Sequence, residues 1–178
     1  MLNIDFKILN FIHEFFSCRF LDFFMPAVTA LGDAGIIWIA VAVFFLCTKK
    51  HRRTGAMLAI GLTLGLILGS VVLKPLIARP RPFSYVEGIS LLISPPKDFS
   101  FPSGHTLASF VSAVTLMLEH KKGAKVFLCL AILISFSRLY LYVHFPSDVI
   151  CGAIFGTIIA FFVKYLFDRR AFKKSKQN

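Results

Sequence analysis

Two histidines and one aspartate have the types and spacing that acid–base or nucleophilic chemistry requires. His144 precedes Asp148 by four residues, and Pro146 lies between them. Proline is favoured in the first turn of a helix, so we expect Asp148 to lie in that turn and to reach back to His144. A carboxylate on one imidazole nitrogen fixes the tautomer and makes the other nitrogen a better nucleophile or base. His105, at the start of another apolar run, is a second group that titrates near neutrality.

The basic residues beside these histidines predict an anionic ligand. Lys74, Arg81 and Arg138 lie at the ends of apolar runs, and no acidic residue is close to Lys74 or Arg81 in the sequence. Backbone amides at Ser103 and Gly104 add neutral donors, because a helix N-terminus favours anions. Three cations can hold the three non-bridging oxygens of a phosphoryl group, whose transfer depends on positioning and charge stabilisation. One histidine could attack phosphorus while the other protonates the departing oxygen.

Neither a metal nor another cofactor is expected. The acidic residues form no cluster suited to Mg²⁺, and the four cysteines are far apart in apolar surroundings. Metal-binding cysteines are normally grouped with each other or with histidines at short spacings. The predicted cations must therefore stabilise the phosphate by themselves.

Three short patterns occur in the order K-x6-RP, PSGH and SR-x5-H-x3-D between residues 74 and 148. They resemble the three-part signature of the type-2 phosphatidic acid phosphatase (PAP2) superfamily, which includes membrane lipid phosphatases, bacterial acid phosphatases and vanadium haloperoxidases. The match has no substitution, and the six intervening residues select Arg81 over Arg79 in the doubled RPRP. We expect Arg79 to have a structural role or to contact a lipid headgroup.

The resemblance implies a role for each matched residue. His144 would form a phosphohistidine, Asp148 would orient it, and His105 would protonate the leaving group. The resemblance also implies independence from metal ions. The phosphate would be bound by five residues, namely Lys74, Arg81, Ser103, Gly104 and Arg138.

Composition indicates an integral membrane protein with an all-α fold. Hydrophobic residues make up 57% of the 178 residues and charged residues only 16%, whereas soluble domains have about a quarter charged residues. Backbone polar groups must be satisfied internally in lipid, so every span should be helical. Two runs reach the roughly 20 residues that a span needs, and the other three must recruit flanking residues. The five predicted spans are Ala34–Thr48, Thr54–Leu73, Thr106–Leu118, Val126–Phe136 and Val149–Phe167.

We expect one membrane-embedded domain over residues 1–178. Residues 1–31 combine charges with apolar residues at helical spacing, which is typical of amphipathic helices lying in the membrane interface; a sixth span is the alternative. Residues 34–167 would form the transmembrane core, and residues 168–178 a basic cytoplasmic tail.

The distribution of basic residues predicts the orientation. The net charge is +11, but the basic residues cluster at the ends of apolar runs, which argues against nucleic-acid binding. With five spans, the clusters at 49–53, 121–125 and 169–176 all fall on one face, which the positive-inside rule makes cytoplasmic. The three motifs then lie on the extracytoplasmic face, and a bacterial plasma membrane suits this arrangement.

The expected function is hydrolysis of a lipid phosphate or diphosphate at the outer leaflet. Undecaprenyl diphosphate, phosphatidylglycerol phosphate, phosphatidic acid and a lipid A phosphate remain open as substrates. A lipid phosphotransferase is an alternative, because an alcohol could capture the phosphohistidine instead of water. A non-catalytic protein that binds or transports anionic lipids is another. It would account for the cations, but not for the His144–Asp148 pair.

Small residues predict close helix packing. Gly61, Gly65 and Gly69 share one helix stripe, and Gly152 and Gly156 repeat the spacing. Such stripes let helix backbones approach closely. We expect packing within the chain, and a homodimer seam is the alternative.

Overall fold

The computed structural model describes residues 2–175, and the side chains of residues 2–172. All regular secondary structure in this part of the chain is helical, which confirms the predicted fold class. Helix α4 passes through a π-helical stretch, Ile67–Leu73, into the short α5. The helices are α1 (Leu2–Phe16), α2 (Arg19–Leu31), α3 (Ile36–Cys47), α4 (Arg52–Leu66), α5 (Lys74–Ile77), α6 (Gly104–Leu118), α7 (Ala124–Tyr140) and α8 (Pro146–Ser175).

Each predicted span coincides with helix. Among the described residues, however, only two helical segments are long and apolar enough to cross a membrane alone, namely Lys49–Tyr85 and Pro146–Phe172. A third span results if α2 and the segment Asp33–Cys47, which meet at 42°, are counted as one. The count of five therefore stays a prediction. The predicted tail begins as the last turns of α8, and its residues 176–178 lie outside the described residues.

Residues 2–31 form two helices where one or two amphipathic helices were expected, and α1 is amphipathic. One face of α1 buries Asp5, Leu9 and Ile12, while Phe11 and Phe15 are exposed on the other. A helix that packs one face against the bundle and exposes apolar side chains on another suits a position at the membrane interface.

Helix α6 is the central element, and it packs against α3, α4, α7 and α8. Glycines make this packing close. A Cβ atom on Gly65 would lie 2.4 Å from Leu107 Cδ2, and one on Gly156 would lie 2.6 Å from the Leu107 carbonyl oxygen. The glycine stripes therefore pack inside the chain, as expected. Since α6 and α8 both carry a motif at their N-termini, this contact also brings the motifs together.

The two ends of the bundle differ in chemistry. At one end Arg53 lies 3.7 Å and Lys164 lies 3.2 Å from the carboxylate of Glu119, and Lys121 Nζ lies 3.1 Å from His51 Nδ1. These contacts bring the clusters at 49–53 and 121–125 to one end, and the ion pair of Arg53 with Asp168 brings the start of the cluster at 169–176 there as well. The motif residues are at the other end, where α6 and α8 begin and α7 finishes.

Candidate active site

A polar cavity of about 380 Å³ lies among the helix ends that carry the motifs. It opens between α2, the start of α6 and the segment between α5 and α6. Two predicted residues, Ser103 and Asp148, do not line it. Six do, namely Lys74, Arg81, Gly104, His105, Arg138 and His144. Residues that span 71 positions in the sequence therefore share one cavity, with both histidines in its wall.

The contacts of His144 identify its tautomer. Its Nε2 lies 3.1 Å from Arg81 Nη1, and a guanidinium can only donate, so Nε2 accepts. The proton of the neutral ring is then on Nδ1, which lies 3.5 Å from Asp148 Oδ2. The lone pair of Nε2 is therefore directed to the side of the phosphate-binding cations.

The environment of His144 keeps the imidazole neutral. Burial lowers the pKa of His144 well below its usual 6.5, and the positive charges of Arg81, Arg138 and Lys74 lower it further. Both causes disfavour the charged form of a histidine. A neutral imidazole with an unprotonated Nε2 is the form that can attack phosphorus, once the contact of Nε2 with Arg81 gives way to the substrate.

Asp148 is fully buried behind His144. Helix α8 begins at Pro146, so Asp148 lies in its first turn as predicted. Its Oδ2 accepts from the Phe145 amide at 2.9 Å and from the Ser100 hydroxyl. Its Oδ1 accepts from Arg79 Nη1 at 2.5 Å. These donors hold the carboxylate in one orientation.

Lys74 and Arg81, which have no acidic residue close in the sequence, do have an acidic neighbour in the folded chain. Asp98, which lies 17 residues after Arg81, forms an ion pair with Lys74 and accepts from Arg81 Nη2 at 2.6 Å. Burial raises the pKa of Asp98, but the ion pairs with Lys74 and Arg81 outweigh it and lower the pKa to about 2. The carboxylate therefore contacts the two cations that are predicted to bind phosphate.

Arg138 differs from the other two predicted cations. Its Nη1 donates to the Thr29 hydroxyl at 2.5 Å, its Nε is buried without a hydrogen-bond partner, and no carboxylate pairs with it among the described residues. Buried charged donors are normally paired. An anion in the cavity would satisfy this charge.

His105 has an acidic partner that sequence reasoning missed. Its Nε2 donates to Asp33 Oδ1 at 2.9 Å. Asp33 lies in a short 3₁₀ turn at the break between α2 and α3, where Gly35 has a left-handed φ of 69°. The sequence contained one signal for this contact, because Asp33 lies between two glycines, in GDAG, directly after an apolar run.

Ser103 caps helix α6. Its hydroxyl accepts from the Thr106 amide at 3.5 Å, and its amide donates to the Asp148 carbonyl oxygen at 3.2 Å. The first contact is a typical N-cap, and the second ties the start of α6 to α8. The predicted contact between Ser103 and phosphate remains a prediction.

An apolar groove of about 680 Å³ meets the polar cavity. It runs along α3 and α4, from the break at Gly35 to Leu46 and past residues such as Ile39 and Val43. Four residues line both spaces, namely Lys74, Asp98, Gly104 and His105. The charged pocket and the apolar groove are thus adjacent, with these four residues at their boundary.

Comparison with known proteins agrees with these motifs. Residues 54–172 match the family model described as the PAP2 superfamily. An undecaprenyl-diphosphatase from Sulfolobus acidocaldarius is 37% identical over 142 residues, which cover 79% of this chain and 68% of the relative.

Two solved structures share the fold. The crystal structure of Aquifex aeolicus LpxE has a TM-score of 0.78 and 29% identity, and the match covers 90% of this chain and 94% of that chain. A phosphatidylglycerolphosphate phosphatase from Bacillus subtilis, described as a transmembrane PAP2-type enzyme, has a TM-score of 0.71 and 27% identity; the match covers 94% of this chain and 86% of that chain. The chain therefore belongs to the PAP2 superfamily and is a membrane-bound phosphatase.

Proposed function

We propose that this phosphatase removes phosphate from a phosphate or diphosphate ester of a membrane lipid, by way of a phosphohistidine on His144. The observation that carries the proposal is the junction of the apolar groove with the polar cavity. A substrate with a charged headgroup and an apolar tail would occupy both at once, with the ester near His105 and Lys74, which line both spaces.

The groove has the dimensions of a site for part of a lipid tail. From Gly35 to Leu46 it follows 11 residues of α3, which correspond to about 16 Å at 1.5 Å per residue. This is roughly half of the ~30 Å hydrocarbon core. A tail lying there would remain at bilayer depth while its headgroup reaches the helix ends.

In the proposed mechanism, residues of the site take part in both steps of hydrolysis. In the first step, His144 Nε2 forms a bond to phosphorus, the bond from phosphorus to the lipid oxygen breaks, and that oxygen takes a proton from His105. In the second step, water attacks the phosphohistidine, returns one proton to His105, and breaks the phosphorus–nitrogen bond to release inorganic phosphate. Asp148 stabilises the positive charge on His144, while Lys74, Arg81 and Arg138 stabilise the phosphoryl oxygens.

The position of the basic clusters supports an extracytoplasmic active site. The clusters lie at the end of the bundle opposite to the cavity, and the positive-inside rule puts them in the cytoplasm. Within the lipid class, the similarity to the undecaprenyl-diphosphatase from Sulfolobus acidocaldarius makes a polyprenyl diphosphate the first substrate to examine.

A phosphate-release panel tests the proposal. The purified protein should release phosphate from at least one of undecaprenyl diphosphate, phosphatidylglycerol phosphate, phosphatidic acid and a lipid A phosphate, and vanadate should inhibit it because it mimics five-coordinate phosphorus. Lipid binding without turnover would overturn the proposal in favour of a binding or transport protein. Transfer of the phosphate label to an added lipid alcohol instead of water would identify a phosphotransferase.

A further inference from the structure

We propose that Arg79, held by Asp5 of helix α1, is a positioning residue for Asp148 and His144, so that the N-terminal helix is part of the catalytic unit. This inference depends on the proposed function of His144. It gives a role to the arginine of RPRP that the motif spacing leaves unassigned.

Asp5 is the buried polar contact through which α1 docks onto the start of α8. Its carboxylate accepts from the Ser147 amide at 3.0 Å, from the Ser147 hydroxyl at 2.6 Å and from Arg79 Nη2 at 2.7 Å. The residue is only 4% exposed. A buried carboxylate requires such partners, since an unpaired one costs several kcal/mol.

Arg79 joins the carboxylates of two helices. Its Nη2 contacts Asp5, while its Nη1 donates to Asp148 Oδ1 at 2.5 Å and to the Ser147 hydroxyl at 2.7 Å. The guanidinium carbon also lies 4.1 Å from the centre of the Phe145 ring. A planar guanidinium can hold two carboxylates in a fixed geometry, which a lysine ammonium cannot reproduce.

The aromatic contacts of α1 reinforce the same link. The Phe6 ring packs edge-on against Phe145, with 5.1 Å between ring centroids, and against Tyr85 at 5.8 Å. Phe145 follows His144 directly in the sequence. Adjacent residues of α1 thus contact the backbone segment that carries the nucleophile.

These contacts argue against a headgroup role for Arg79. Both terminal nitrogens are engaged by protein carboxylates, the side chain is 18% exposed, and Arg79 does not line the polar cavity. Its effect on catalysis should therefore pass through Asp148. Without Arg79, Asp148 Oδ1 would lose its charged donor, and the carboxylate could rotate away from His144 Nδ1.

The two arginines of RPRP should give different kinetic signatures. Arg79→Gln should lower kcat by about 10- to 100-fold, by analogy with groups that orient the ligands of a catalytic metal, and leave KM within about twofold. Arg81→Gln should raise both KM and the Ki of inorganic phosphate. Kinetics with a water-soluble phosphoester measure both, because such a substrate does not depend on the groove.

A double variant tests whether Arg79 acts through Asp148. In an Asp148→Asn background, Arg79→Gln should lower kcat no further than about twofold, because residues that act as one unit are not additive. A further loss of tenfold or more would overturn the proposal. Asp5→Asn should also lower kcat, and the double variant of Asp5→Asn with Arg79→Gln should have the same kcat as Arg79→Gln alone.

Asp22→Asn provides the matched control. Asp22 of α2 accepts from the Tyr140 hydroxyl at 2.5 Å, so this substitution also removes a carboxylate contact between the N-terminal helices and the bundle. Its kcat and KM should stay within about twofold of wild type. An equal loss of kcat in Asp22→Asn and Asp5→Asn would mean that helix docking alone matters, and would overturn the proposal.

Thermal stabilisation by vanadate is the second readout. Arg79→Gln should retain it, since the cations of the cavity are intact; loss of vanadate binding in this variant would overturn a positioning role. If Arg79→Gln fails to fold, Arg79→Lys takes its place, and the same two readouts, the kinetic constants and the thermal stabilisation by vanadate, test the proposal. A wild-type protein inactive on every phosphate ester would refute the proposed function, whereas an active wild type with an unaffected Arg79→Gln would refute this inference alone.

Discussion

Replacement of Asp98 by asparagine should strengthen phosphate binding. Asp98 forms ion pairs with Lys74 and with Arg81 Nη2. The other N–H groups of Arg81 are directed at His144 and at three carbonyl oxygens, those of Asp98, Phe99 and Val143. A phosphate oxygen can therefore contact Nη2 only if the Asp98 carboxylate moves away. Asparagine keeps the shape of the side chain and removes the competing charge.

The expected gain follows from the pKa of Asp98. A decrease from 3.8 to about 2 corresponds to roughly 2.4 kcal/mol at 1.36 kcal/mol per pKa unit. The side chain is 55% exposed, and exposed ion pairs are worth about 0.2–1 kcal/mol because water screens them. We therefore expect about 1 kcal/mol, or roughly fivefold in affinity.

The pH dependence of this competition has a defined sign. Because the pKa of Asp98 is lowered in the folded protein, its ion pairs are fully present above about pH 4 and are lost as the pH falls through about 2. Between pH 5 and 8 the carboxylate stays ionised. The difference between Asp98→Asn and wild type should thus be constant over that range.

The assay is inhibition of phosphoester hydrolysis by inorganic phosphate. The Ki should fall about fivefold in Asp98→Asn. Glu87→Gln is the matched control, because it removes one negative charge from the same connecting segment at an exposed position and should leave the Ki unchanged. An unchanged or higher Ki in Asp98→Asn, or an equal decrease in both variants, would refute the displacement of Asp98 by phosphate.

Three further outcomes are expected. His144→Ala and His105→Ala should each abolish phosphate release while EDTA has little effect on wild type; complete loss with EDTA that Mg²⁺ or Zn²⁺ restores would contradict the metal-independent mechanism. Val43→Trp, which narrows the groove, should raise KM for a long-chain lipid phosphate by about tenfold and spare a water-soluble phosphoester. Val126→Trp, at an exposed position, should change KM for neither substrate. Equal increases of KM in the Val43 and Val126 variants would contradict the role of the groove. Gly156→Val should destabilise the protein by about 1–3 kcal/mol, measured as a lower Tm, because its Cβ would lie 2.6 Å from a carbonyl oxygen of α6; an unchanged Tm would contradict this packing argument.

Local spacing predicted six of the residues that line the cavity, and it predicted Asp148, which lies behind one of them. His144 and Asp148 are four residues apart around a helix start, and Lys74 and Arg81 are at the end of an apolar run, so short-range geometry predicts their positions. Helix ends on one face of a small bundle then have to be neighbours. The five apolar runs predicted the helices for a similar reason, because lipid permits no other regular structure for a single segment.

The acidic partners could not be predicted in this way. Asp98 reaches the cations from a connecting segment without regular structure, and Asp33 depends on the break between two helices. Asp5 contacts Arg79 across 74 positions. None of these contacts has a periodicity or a fixed spacing, since each depends on how separate elements pack. The sequence consequently predicted an excess of positive charge that the folded chain partly neutralises.

In the proposed reaction, the adjacent groove and cavity would give the two products separate ways out. A dephosphorylated lipid held in the groove would leave sideways along α3 into the bilayer without crossing the polar pocket. Inorganic phosphate can depart past Asp33 and Asp98, whose side chains are more than half exposed. Neither product then has to wait for the other, so turnover would be governed by two independent release steps, one set by the membrane and one by the aqueous phase.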